Sequence, residues 1–99
     1  MAVLAKKPYY ECHITFKAVI PSLAESFVEM LKWKFSMISG DPIQGAGTRC
    51  YATRHFRASR AIGDVLKDLN KAADQLHGIV GIRVTRRKIE MVLHDHITR

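Results

Sequence analysis

Four runs of alternating apolar and polar residues and two helical apolar stripes predict an α+β domain. An antiparallel sheet is expected, carrying both helices on one face. Two observations decide this: Tyr10, Cys12, Ile14, Phe16, Ala18 and Ile20 recur with period two, and Ile62, Val65, Leu66, Leu69, Ala72, Ala73 and Leu76 recur with the period of a helix. A third is the loop Gly40–Gly47, whose Gly40-Asp-Pro42, Gly45 and Gly47 mark a shaped turn between two strands.

In chain order, Tyr10 to Ile20 forms the first strand, with Glu11, His13, Thr15 and Lys17 on its wetter side, and Pro21 ends it. Ser22 and Glu25 have the spacing of a capping box, and Leu23, Phe27, Met30 and Leu31 follow at helical intervals. Trp33, Phe35 and Met37 alternate with Lys34, Ser36 and Ile38 as a second strand, after a boundary near Lys32. Arg49 to Phe56 is the third strand; Ser59 is placed to cap the second helix, and His77-Gly78 to end it. In the last strand, Ile82 to His94, the apolar phase changes between Val84 and Ile89, which predicts a β-bulge near Thr85–Arg87. The order β-α-β-β-α-β is that of the ferredoxin-like, split βαβ arrangement. Its first strand lies between the third and the fourth. The face free of helices should then carry His13, Thr15 and Lys17 centrally, beside Lys88, Glu90 and His94 and beside Thr53 with His55 or Arg54.

With 99 residues, 47% of them hydrophobic and 25% charged, the chain is expected to be one domain, 1–99, with 1–8 and 96–99 flexible. The start MAVLAKKP is too poor in apolar residues for a signal peptide, and no run approaches a membrane span. A cytoplasmic protein without a membrane partner is expected. Cys12 and Cys50 lack metal-site spacing and sit in apolar strand patterns, so both should be reduced and buried.

The net charge of +7 and a pI near 9.8 favour an anionic partner. The arginines are confined to Arg49 and beyond; every earlier basic side chain apart from His13 is a lysine. Arg49, Arg54, His55, Arg57 and Arg60 lie on or just after the third strand, and Arg83, Arg86, Arg87 and Lys88 on the last. The guanidinium fork suits phosphate. These nine residues are therefore the expected polyanion-binding set, with nucleic acid as first partner. Charge reversal at Arg54 and Arg87 should abolish binding. No RNP motif is present, and the outward positions of the first and third strands read as His13, Thr15 and His55 rather than as aromatic platforms. The plainer reading is a solvated charged face with Asp64, Asp68, Asp74 and Glu90 as local partners. Other readings are a protein-interaction module or inhibitor of an acidic partner, and a homodimer through the open face or the second strand as an edge.

His13-Ile-Thr15-Phe and His96-Ile-Thr98-Arg resemble the His-x-Thr-x motif of the two-histidine phosphoesterases. The resemblance implies His13 and His96 as acid and base on a phosphodiester and Thr15 and Thr98 as phosphate ligands. The stretch Trp33-Lys-Phe-Ser-Met-Ile-Ser-Gly-Asp-Pro42, with Cys50-Tyr-Ala-Thr53 and Lys88-Ile-Glu90, resembles a group of small bacterial and phage ferredoxin-like proteins. That resemblance implies one compact domain in a bacterial or phage setting and no particular activity. His94-Asp95-His96, with His13, offers metal-ligand chemistry, but neighbours on a strand point apart, so no metal and no cofactor is expected. The Gly40–Gly47 loop lacks the lysine and the following helix of a P-loop and reads as a hairpin connection. Binding without catalysis is the expectation.

Overall fold

In the computed structural model, which describes residues 4–6, 8–43, 47–93 and 95–97 (backbone alone for 4–6, 38–43 and 95–97), the elements are β1 Leu4–Lys6, β2 Tyr9–Ala18, α1 Pro21–Met30, β3 Lys34–Ile43, β4 Gly47–Arg57, α2 Ile62–His77, β5 Ile82–Val92 and β6 Asp95–Ile97. Four strands form an antiparallel sheet in the order β3-β4-β2-β5, which is the expected α+β topology. β3 and β5 are its edges.

Alternation in β2 is strict. Tyr10, Cys12, Ile14, Phe16 and Ala18 are buried and the residues between them half-buried. They form one core with Ala24 and Val28 of α1 and with Val65, Leu69, Ala72, Ala73 and Leu76 of α2, so both helices cover the same face. Cys12 and Cys50 are free and fully buried in this core. Burial pushes the Cys12 thiol up to about 11, with the charge of Asp68 adding to it, and burial raises the Cys50 thiol as well.

The bulge falls where the phase change places it. Thr15 pairs with Arg86 and Phe16 with Val84, leaving Thr85 as the extra residue; its hydroxyl donates to the Thr15 carbonyl at 3.2 Å. Ile82 and Val84 on one side of the bulge and Ile89 on the other thereby reach the same core.

Several local expectations are corrected. Neither helix uses its predicted cap: α1 begins at Pro21 with Ile20 as N-cap, α2 at Ile62 with Ala61, and no side chain caps either. Pro21 at the first helical position has no amide hydrogen to satisfy and pre-sets φ, so the Ser22 box is not needed. Of the predicted α1 stripe, Phe27 and Leu31 pack against the core, whereas Leu23 and Met30 are exposed and Ala24 and Val28 are the residues fully buried. α1 stops where Lys32 takes φ 68°. β3 continues through Gly40-Asp-Pro to Ile43, longer than predicted; proline is tolerated on an edge strand. Residues 44–46 at the hairpin tip lie outside the described residues. Gly47 has φ +86° and packs so closely on the Ala18 carbonyl that a Cβ would stand 2.8 Å from its oxygen. β1 and β6, which the alternation did not show, pair as a separate antiparallel ribbon. No helix among the described residues is long and apolar enough to cross a membrane.

Candidate functional site

The open face of the sheet is built by register. Across β4, β2 and β5 its rows are Arg57–Tyr9–Val92, His55–Glu11–Glu90, Thr53–His13–Lys88, Tyr51–Thr15–Arg86 and Arg49–Lys17–Arg83. Lys34 and Ser36 of β3 extend the rows of Thr53 and Tyr51. The face has two halves of different chemistry.

One half is cationic. Lys17 stands directly between Arg49 and Arg83, with Arg86 one row away. Among the described residues, the side chains of Lys17, Arg83 and Arg86 make no hydrogen bond or ion pair, and both arginines are exposed. Like charges placed directly opposite each other across strands destabilise a sheet. Tyr51 lies in the neighbouring row, half-buried beside Thr15.

The other half joins histidines to carboxylates. Glu11 receives both imidazoles: His13 Nε2 lies 2.7 Å from its Oε1 and His55 Nε2 2.8 Å from its Oε2. His13 Nε2 is also 3.7 Å from Glu90 Oε1, and its Nδ1 bonds the Thr53 hydroxyl at 3.1 Å. Lys88 Nζ approaches Glu90 Oε1 at 3.2 Å. The Tyr9 and His55 rings are 4.8 Å apart and close one side of a concavity of about 600 Å³ that also involves Pro8, Phe56, Arg57 and Ser59. Burial pushes the Glu11 carboxyl up, but the hydrogen bond and charge of His13, with those of His55, outweigh it and hold the group below its ordinary value.

The predicted set is thus divided between two surfaces. Arg49, His55, Arg57, Arg83, Arg86 and Lys88 belong to the open face. Arg54 and Arg87 do not: by register they share the side of Cys12 and Ile14 that the helices cover. Arg54 lies over the Phe56 ring at 4.8 Å, and Arg87 binds Asp74 at 2.7 Å and Asn70 at 2.9 Å on α2. Arg60 also turns to that side, to Asp68 at 2.9 Å and the Phe56 ring at 5.1 Å. Opposite Ile14 the strand carries Arg87, which reaches across to α2. Asp68, Asp74 and Glu90 are local partners, as the plainer reading held.

The absence of outward aromatics is corrected as well: Tyr9 shares the open face with Glu11 and His13 of β2, and Tyr51 shares it with Thr53 and His55 of β4. That spacing is visible in the sequence. What is not visible is the pairing of Glu11 with both histidines, because His55 comes from a strand far away in the chain. Of the His-x-Thr residues, His13 engages Glu11 and Thr53 through its two ring nitrogens. His96 lies on β6, outside the sheet that carries His13. The side chain of His96, and His94 and Thr98 altogether, lie outside the described residues.

In comparisons with known proteins, no family model, curated protein or solved structure matches this chain. The functional reading therefore stands on the face itself.

Proposed function

We propose that the cationic half of the open sheet face binds a phosphate polymer, single-stranded nucleic acid first, in a cytoplasmic setting. The row Arg49–Lys17–Arg83 carries the reading. Lys17 and Arg83, like charges in direct cross-strand register, cost the isolated domain stability, and a polyanion laid across them reverses the sign of that term. Arg86 and Lys88 extend the track along β5, and Lys34 approaches it from β3. Tyr51 beside Thr15, and Tyr9 at the far end, supply aromatic surface for bases, the second requirement of a single-strand binder. Arg54, Arg60 and Arg87 drop out of the proposed surface. The reading is one of binding, without catalysis.

Fluorescence anisotropy with short single- and double-stranded oligonucleotides across a salt series tests it. Contacts from Lys17, Arg83 and Arg86 alone give a log–log salt slope of about −2 on a single strand, at roughly −0.7 per contact. The double variant Arg83→Ala/Arg86→Ala should lose most of that slope, whereas Arg87→Ala should keep it. Failure to bind either oligonucleotide at low salt would overturn the proposal and turn attention to an acidic protein partner or to self-association.

A further inference from the structure

The histidine–carboxylate half of the face has a geometry that hydrogen bonding leaves incomplete. Glu11 and Glu90 are direct cross-strand partners, two like charges on one face. Both carboxylates converge on the same atom, His13 Nε2, at 2.7 and 3.7 Å. One ring nitrogen offers one proton or one lone pair and cannot serve two carboxylates at full strength. A divalent cation between the three groups would satisfy all of them.

We propose that Glu11, His13 and Glu90 form a site for one divalent transition-metal ion, with Zn²⁺ the best match. One imidazole nitrogen and two carboxylate oxygens are ordinary zinc ligands, and the three ligand atoms lie within 4.8 Å of one another. Atoms held at zinc distances in a tetrahedron stand about 3.4 Å apart. The short His13–Glu11 contact must therefore open by about 0.7 Å and the His13–Glu90 contact close by about 0.3 Å, movements within reach of side-chain rotation. The surroundings have the form of an outer shell. Thr53 holds the other nitrogen of His13, and His55 holds the other oxygen of Glu11. His13 and Glu11 are each 27% exposed at the side chain, which leaves the fourth position open to water or an anion. Lys88 is the competitor: its ammonium contacts the Glu90 oxygen that the metal needs and must swing away. The inference does not rest on nucleic-acid binding, and of the proposed phosphate track it involves Lys88 alone.

Isothermal titration calorimetry of the full, tag-free chain with ZnCl₂ tests it. The buried thiols of Cys12 and Cys50 take no part in the folded protein. Saturable binding of one ion per chain is expected. It should be lost in His13→Ala and weakened at least tenfold in Glu90→Gln, a change at an exposed carboxylate that leaves the fold intact. Thr53→Val should weaken it by about 10- to 100-fold, as outer-shell partners do, and Lys88→Met should tighten it. Thermal unfolding without metal checks that each variant is folded. The proposal is overturned if the chain shows no saturable uptake. Uptake that survives both His13→Ala and Glu90→Gln but disappears in His94→Ala/His96→Ala would equally overturn it, by assigning the ion to the chain terminus.

Discussion

Lys17 is where stability and binding should part company. It is paired with Arg83 on one side and Arg49 on the other, in direct cross-strand register. A cross-strand charge pair of this kind is worth about 0.2–1 kcal/mol. Replacing Lys17 by glutamate turns the Lys17–Arg83 repulsion into an attraction of similar size, a gain of about 0.5–2 kcal/mol from that pair alone. For a domain of this length, each kcal/mol moves the melting temperature by roughly 4–8 °C, so Lys17→Glu should melt several degrees higher than the parent at low salt. The gain should shrink as salt screens the pair. The same change puts a negative charge in the middle of the proposed phosphate track, so oligonucleotide affinity should fall at every salt concentration and the salt slope become shallower by at least about 0.7. Calorimetric melting and anisotropy on one preparation read both effects. A variant that melts lower than the parent would refute the like-charge account of the row; one that melts higher with unchanged oligonucleotide binding would refute its use as a polyanion surface.

Three other expectations concern the scaffold. Gly47→Ala demands a left-handed backbone from an L residue and places a methyl group 2.8 Å from the Ala18 carbonyl oxygen, so urea unfolding should show a loss of about 2 kcal/mol or more; an unchanged midpoint would contradict that contact. Glu11 has a carboxyl held below its ordinary value of 4.5, so the unfolded chain binds more protons there than the folded one, and stability from this group is present above pH 4.5 and lost as the pH falls through the lower folded value. Denaturation midpoints measured down from pH 5 should therefore fall less steeply in Glu11→Gln than in the parent, and parallel curves would count against the histidine contacts. Burial that raises both thiols, Cys12 to about 11, predicts no reaction with a disulfide reagent at pH 8 in the native state and reaction of both in urea; rapid native labelling would show that the core opens.

The sequence by itself determined the α+β topology, the side of β2 that is buried, the enclosure of both cysteines and the bulge at Thr85. Each of these is carried by period-two or helical spacing within one element, and burying an apolar face leaves little freedom once that spacing is set. It also marked the chain as cationic and His13, Thr15 and Lys17 as the middle of the open face. Only the tertiary structure decided which cations share a surface. Arg54 and Arg87 lie one position from open-face residues, and a one-residue step along a strand moves a side chain to the opposite side of the sheet. It likewise decided where the helices begin, since Pro21 and the path of the chain into α2 outweighed the local capping signals of Ser22 and Ser59. The row Arg49–Lys17–Arg83 and the convergence of Glu11, His13, His55 and Glu90 join residues of β2, β4 and β5 that are far apart in the chain. Their chemistry arises from the register between strands, which no pattern within a single strand can specify.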